Sequence, residues 1–423
     1  MHILFLSDNF PPEVNAPASR TFEHCREWVR AGHRVTVITC APNFPQGRVH
    51  AGYRNRLFRK EVVDGIEVIR VWSYITANEG ILKRTLDYVS YAAAAVVAAP
   101  FVRGVDIVIA TSPQFFTAMA GYVVGTLKFR PFIFELRDLW PESIRAVGAL
   151  REGRLLSLLE SIEMFLYRRA RLIVTVTHAF RDNLVGRGIP AEKIRVITNG
   201  ADLSRFQPRP KSAALAEKLG LNGKFVAGYV GTIGMAHALE TLLQAAKQLQ
   251  ALPQASNIRL LILGDGARKE ALRAEAAEMD LKNLVFVDSV PKDDVADYWA
   301  LLDAAAIHLK KTELFTTVIP SKLFEAMAMG LPILHGVAGE SAEIVRKEQV
   351  GIVFEPENAP ALAAAIMQLA GDDALRRNFA DNSRAAARNY DRTVLAARML
   401  EILTTLSHDG PPALTAKLEN TPN

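Results

Sequence analysis

The sequence predicts an α/β protein of two doubly wound parallel-sheet halves, and three observations lead there. Short apolar runs alternate with helix-like stretches in β-loop-α-β order. Those runs, such as Ile3-Leu4-Phe5-Leu6, are too continuous for a sheet with one wet face, so both faces are expected to be covered. The same grammar restarts after a Pro-containing stretch near residue 205, and 423 residues at roughly 150 per domain allow two or three domains.

In order, a strand over 2–6 runs into the loop 7–18, whose Pro11, Pro12 and Pro17 argue against helix. A helix from Arg20 to Ala31, stopped by Gly32, leads to a strand over 34–39. Further strands are expected at 66–72, 105–110, 131–136, 171–176 and 194–198, with helices between them. Residues 201–211, with Pro208 and Pro210, read as a linker. The second half opens with a strand over 224–230 and a glycine loop, Gly231-Thr232-Ile233-Gly234, that starts a helix reaching about Ala251. A strand over 258–263, the loop Gly264-Asp265-Gly266, a helix from Ala267 and a strand over 284–287 follow. From Pro360 to about Leu406 the chain reads as Ala- and Leu-rich helix. The expected domains are 1–204, completed by a C-terminal helix over 388–423, and 205–387.

Half of the residues are apolar and 22% are charged, which excludes a disordered chain. Cys25 and Cys40 make no disulfide framework, and the opening residues lack the basic-then-apolar pattern of a signal peptide. A cytoplasmic protein is expected. The net charge of +5 splits unevenly: 26 Lys+Arg less 18 Asp+Glu gives +8 over residues 1–200, and 24 less 27 gives −3 over the rest. A basic first half suits an anionic surface or acceptor. Uncharged runs extend from Tyr88 to Val102 and from Ile107 to Leu127, but Pro100 lies in one and Pro113 in the other. Surface attachment through 88–127 is expected rather than a membrane span.

In open α/β folds ligands gather at the carboxyl ends of strands, so the cleft between two such halves is the expected site. Pro320-Ser321-Lys322-Leu323-Phe324-Glu325 reads as a helix start with Ser321 as N-cap and Gly330 as the later stop. Lys322 and Glu325 then share one face. A lysine there opposes the helix dipole, a conflict that a bound phosphate would resolve. The glycine loop at 228–234 lacks the nicotinamide spacing, and no acidic residue ends the next strand, which argues against an oxidoreductase. Glu135, Arg137, Asp138 and Glu142 gather charge around one strand end. No Asp-any-Asp triplet occurs and the nine histidines show no ligand-like spacing, so no metal is expected. His237 reads as a helix-surface residue, and His178 and His308, each after an apolar strand, as structural.

Several stretches occur in a telling order: Phe10-Pro11-Pro12-Glu13, Arg137-Asp138-Leu139-Trp140-Pro141-Glu142, Asn199-Gly200-Ala201-Asp202 with Phe206, Gly228-Tyr229-Val230-Gly231-Thr232, Gly264-Asp265-Gly266 and 320–325. With them the chain resembles the family 4 glycosyltransferases of GT-B fold, most of all the WbuB-like subgroup that builds lipid-linked O-antigen or capsule units. The resemblance implies retaining transfer from a nucleotide diphosphate sugar, UDP rather than GDP, with no metal or cofactor. It implies a glycan or polyprenyl-diphosphate-linked acceptor, no nucleic acid, and peripheral association with the cytoplasmic face of the inner membrane.

Its site residues carry over with departures. Glu325 matches the family's ribose-holding glutamate, whereas Thr317 stands where a sugar-contacting glutamate is usual, so backbone groups of 315–319 are expected to replace it. Thr232 and His237 occupy positions where many relatives have Arg and Lys. Lys322 therefore becomes the expected diphosphate cation, with Lys310 or Lys311 in reserve and the N–H groups of 231–234 and 321–323 around it. Pro320, Ser321, Leu323, Gly231, Gly264 and Asn199 complete the donor contacts, with Ser289 and Val290 beside the base. Asn15-Ala16 replaces a common Gly-Gly pair, with Asn15 still near the donor. Arg137 and Asp138 stand where many relatives offer a histidine, and with Lys322 they are the expected catalytic residues. A sugar-nucleotide 2-epimerase and a non-catalytic nucleotide-sugar-binding protein of the same architecture stay open.

Overall fold

The computed structural model describes residues 1–13, 15–44, 46–76, 81–139 and 153–408. Two compact units emerge: Met1–Val176 with Phe180–Ile197 and the chain from Leu395, and Thr198–Val394 with Thr177–Ala179.

The first unit is built on β1 (His2–Leu6), β2 (Arg34–Cys40), β3 (Phe58–Val63), β4 (Ile66–Val71), β5 (Ile107–Thr111), β6 (Phe132–Leu136), β7 (Leu172–Thr175) and β8 (Ile194–Val196). They lie in the order β3-β4-β2-β1-β5-β6-β7-β8. Alternate residues of β1 serve opposite faces: Leu4 and Leu6 pack in the core with Phe134 and Tyr167, Ile3 and Phe5 in the core with Trp28 and Leu403. That is why the run is apolar throughout. The purely parallel sheet expected here is mixed, because β3 joins β4 as an antiparallel edge strand. Its half-wet sequence, Phe-Arg-Lys-Glu-Val-Val, suits an edge and hid it from a search for apolar runs.

The first helix spans Ala16–Arg30 and so begins before Arg20. Pro17 sits in its first turn, where a missing N–H costs nothing, and Asn15 Oδ1 caps it by accepting from the Ala18 N–H at 2.8 Å. Half of the apolar stretch 88–127 is buried, with Tyr91, Ala95, Val108, Ala118 and Val124 in the core. Among the described residues no helix is long and apolar enough to cross a membrane.

The second unit is wholly parallel, in the order β11-β10-β9-β12-β13-β14. Its strands are β9 (Phe225–Val230), β10 (Ile258–Leu263), β11 (Leu284–Val287), β12 (Ala304–His308), β13 (Ile333–Gly336) and β14 (Gly351–Val353). β13 and β14 are four and three residues long, too short for a periodic signal. Residues 201–206 are not a free linker: Ala201 bridges to Asp391, and Ala201 and Phe206 enter the second unit's core. The division therefore falls after Ile197, against the expected 204. The glycine loop leads into a 3-10 turn, Met235–His237, and the helix waits until Glu240–Gln250. Trp140, Pro141, Glu142 and the chain beyond His408 lie outside the described residues.

Strand order reverses between β1 and β5 in the first unit and between β9 and β12 in the second. The loops at those carboxyl ends are where each unit is shaped to hold a ligand.

Candidate functional site

In the second unit the loops after β9 and β10 are zipped together. The Gly231 N–H donates to Leu263 O and the Ile233 N–H to Asp265 O, both at 2.8 Å. The backbones approach so closely that a Cβ on Gly264 would collide with the Gly231 carbonyl, and one on Gly231 with the Lys322 side chain. Gly264→Ala is accordingly expected to destabilise the protein by about 1–3 kcal/mol, checked by its melting temperature. An unchanged midpoint would mean that the loops have room to part.

Lys322 comes from the helix Ser321–Ala328, which the Gly330 and Leu331 N–H groups close on Met327 O and Ala326 O. The N-cap is Pro320, not Ser321 as expected; Ser321 is the first helical residue and no side chain caps the turn. The N–H groups of Ser321 and Lys322 thus point out of the first turn without helical acceptors. The Lys322 ammonium lies over the Tyr229 ring, 4.8 Å from its centroid. Tyr229 is fixed in turn by its hydroxyl, which donates to Thr232 O at 2.6 Å. Burial lowers the Lys322 pKa to about 8, against an upward pull from Glu325. Among the described residues no carboxylate lies within ion-pair distance of this ammonium, and Glu325 acts on it only from farther off, so an incoming anion would be its first direct ion-pair partner.

The neighbours sharpen that role. The Gly234 N–H meets His237 Nδ1 at 3.3 Å, and burial followed by Lys322 lowers the His237 pKa to about 4. His237 is neutral at pH 7 and supplies no cation. His308 Nε2 accepts from the Glu357 N–H at 2.9 Å, so its Nδ1–H donates to His237 O at 2.7 Å, a structural tie across the β9–β12 switch point. Lys311 leaves the reserve, its ammonium 2.6 Å from Glu355, while Lys310 stays half-buried beside the loop. The expectation that all four N–H groups of 231–234 face a ligand is corrected: those of 231, 233 and 234 are already bonded, which leaves Thr232 N–H. The Thr317 hydroxyl donates to Leu314 O at 2.8 Å within a 3-10 turn, Leu314–Thr317. Ser289 is exposed and Val290 half-buried just past β11, and Glu325 is half-buried one turn beyond Lys322. Asn199 precedes Gly200, whose carbonyl accepts from Arg392 Nε at 2.8 Å.

Asn15, Arg137 and Asp138 belong to the first unit. Asn15 is engaged in capping and in a 2.6 Å bond from its Nδ2 to Asn9 Oδ1, so its amide is part of the loop's own framework. The Arg137 and Asp138 N–H groups both donate to Ser112 Oγ, at 2.7 and 3.2 Å, which holds the two side chains at the mouth of β6. Glu13 staples the Pro-rich loop by accepting from the N–H groups of Phe10, Asn43 and Phe44. Glu135 is buried and bonded to Arg20 Nε at 3.0 Å. Burial alone would raise its pKa, but Arg20, then Arg137 and His24, hold it at about 2. It is thus a structural anion.

Sequence reading missed Tyr229, and it missed Asp8 and Gln114. Gln114 Nε2 donates to Asp8 Oδ2 at 2.7 Å, across the loops that follow β1 and β5. Burial raises the Asp8 pKa, and it raises that of Asp87 to about 6 with Asp8 and Glu13 adding to the rise. The strand order would have pointed to Asp8, the first polar side chain after β1 that can ionise. Among the described residues no group of three His, Cys, Asp or Glu side chains could hold a metal ion.

Known proteins with this pattern make the chemistry specific. Residues 15–200 match the glycosyl transferase 4-like domain and residues 212–386 the glycosyl transferases group 1 domain. The chain is 26% identical over 388 residues to WcaI of Escherichia coli (strain K12), a glycosyl transferase assigned to colanic acid biosynthesis, covering 87% of this chain and 92% of that protein. Its fold is similar to that of sucrose-phosphate synthase from Thermosynechococcus elongatus, with a TM-score of 0.72 at 17% identity over 97% of this chain and all of that one. Anabaena HepE, solved in complex with UDP-glucose, superposes with a TM-score of 0.70 at 19% identity over 96% of this chain and all of that one. The chain belongs to the family 4 glycosyltransferases, enzymes of GT-B fold.

Proposed function

We propose that the protein transfers a sugar, with retention of configuration, from a UDP-sugar to a glycan or polyprenyl-diphosphate-linked acceptor of a surface polysaccharide. The observation that carries this reading is Lys322: a half-buried lysine whose ammonium lies against a glycine loop, at an uncapped helix start, with no carboxylate among the described residues within ion-pair distance. The nucleotide's diphosphate would lie against it and against the N–H groups of Thr232, Ser321 and Lys322. As the bond to the sugar breaks, the charge that grows on the departing phosphate meets this fixed cation and these dipoles. The acceptor hydroxyl attacks the same face of the sugar and gives its proton to the departing phosphate, so no strong protein base is needed. Glu325 would hold the ribose, backbone of 315–319 the sugar, Ser289 and Val290 the base, and Arg137 with Asp138 would orient the reacting sugars. No metal or cofactor takes part, so a chelator should leave turnover unchanged.

The complex of Anabaena HepE with UDP-glucose and the colanic acid assignment of WcaI support the donor and the polysaccharide. A thermal-shift series of nucleoside diphosphates tests the site. UDP at about 100 times its dissociation constant should stabilise by about 2.7 kcal/mol, and GDP by less. No shift with any nucleotide would sink the reading. Conversion of the UDP-sugar without acceptor would point instead to an epimerase. The basic first half supports peripheral association with the cytoplasmic face of the inner membrane.

A further inference from the structure

At the amino ends of β5 and β6, the end of the sheet away from Asp8 and Gln114, the segments 99–105 and 124–130 enclose a cavity of about 380 Å³. Arg103, Lys128 and Arg130 line it, and among the described residues none of the three has a carboxylate within ion-pair distance. Lys128 Nζ donates to Val102 O at 2.6 Å, which ties the two segments together. Around the mouth stand Phe101, Leu127 and Phe129, 68%, 57% and 87% exposed. The ring of Phe58, on the edge strand β3, extends this apolar rim by meeting Phe101 edge-on at 6.1 Å.

Phe129 is the informative residue. It follows the helix Phe115–Leu127 in the left-handed conformation, φ +53°, while the Arg130 N–H closes the helix on Gly125 O. That position favours glycine or asparagine; a bulky aromatic there strains the backbone. The ring is not buried, so packing does not offset the strain. A residue that folding disfavours and the core does not use points to something outside the chain.

We propose that this edge docks on an anionic lipid bilayer, with Phe101, Leu127 and Phe129 entering the interfacial layer and Arg103, Lys128 and Arg130 drawing one lipid phosphate into the cavity. The inference rests on reading the protein as membrane-peripheral, and narrows the attachment expected over 88–127 to the middle of that stretch, at 99–105, and to its carboxyl end with the three residues that follow, at 124–130. The chemistry favours lipid over a protein partner: three cations with no carboxylate partner among the described residues flank an apolar tip, and aromatic and aliphatic groups at headgroup depth leave long basic side chains near the phosphates. Docking by the amino ends of the strands also leaves the β1–β5 crevice of this unit unobstructed.

Co-sedimentation of the full-length protein with phosphatidylethanolamine vesicles, with and without phosphatidylglycerol, tests the proposal. The wild type should bind only the anionic vesicles. Phe129→Gly and the double variant Arg103→Ser/Arg130→Ser should each lower the partition coefficient by about tenfold. Phe129→Gly should melt at or above the wild-type temperature because the strain is relieved, an outcome that loss of folding cannot imitate. Its UDP-induced thermal shift should be unchanged. Wild type that ignores both vesicles overturns the docking surface and the membrane-peripheral reading together. Anionic binding that survives both variants overturns this face alone. A dimer that Phe129→Gly dissolves, or stabilisation by inorganic phosphate without vesicle binding, would overturn it in favour of a second copy or a free anion.

Discussion

Lys322→Ala is expected to lower kcat/KM for the nucleotide sugar by a factor of about 30 to 1,000, on the order of 2–4 kcal/mol of transition-state stabilisation. The effect should appear in kcat and not in KM alone, because the charge on the leaving phosphate is larger in the transition state than in the bound donor. Wild-type turnover at saturating donor would remove Lys322 from the mechanism. The lysine's pKa of about 8, lowered from 10.5 by burial, adds a second readout with its own sign. For a base with a lowered pKa the unfolded chain holds the proton more strongly. Lys322 therefore destabilises the ligand-free fold at neutral pH, and that penalty fades as pH rises from about 8 to 10.5. UDP binding should move the opposite way and weaken above pH of about 8 as the ammonium is lost. Measured as the UDP-induced thermal shift, the decline should be present in the wild type and absent from Lys322→Ala.

Arg20→Met is expected to destabilise the first unit by about 3–5 kcal/mol, because it leaves the Glu135 carboxylate buried without its guanidinium. The double variant Arg20→Met/Glu135→Gln should recover most of the lost melting temperature, since the uncompensated charge is gone. Equal melting of single and double variants would mean that Arg20 acts through its bond to Ile197 O instead. The acid limb follows from the depressed carboxyl. With a folded pKa of about 2 against 4.5, Glu135 contributes stability above pH 4.5 that is lost as pH falls toward 2. That limb should flatten in Arg20→Met.

The two predictions differ in how much of their basis the sequence reveals. Lys322 is legible because its signal is local: Pro320, Ser321, the lysine, Glu325 and Gly330 sit within one short helix, and a cation at a helix start conflicts with the dipole in plain view. The Arg20–Glu135 pair is not legible. Its partners stand 115 residues apart, and only the pairing of β1, β5 and β6 brings the first helix over the end of β6. In the sequence Glu135 is one of several charges at a strand end, and the structure separates its buried role from the half-buried Asp138. The glycine loop lies between these cases. Its glycines are visible, but their use depends on Leu263 and Asp265 reaching across from the next strand and occupying N–H groups that a ligand was expected to meet.

By itself the sequence determined the doubly wound α/β class and the short helix that carries Lys322 and Glu325, because apolar periodicity, glycine spacing and helix-end chemistry are all written within a few residues of one another, and the order of its motifs carried the resemblance to the family. Tertiary structure alone decided that Tyr229 carries the Lys322 ammonium, that His237 is neutral, that Asp8 meets Gln114 and that Phe129 stands strained in solvent. Each of these depends on desolvation and on contacts set by strand order and loop closure, which no local pattern encodes.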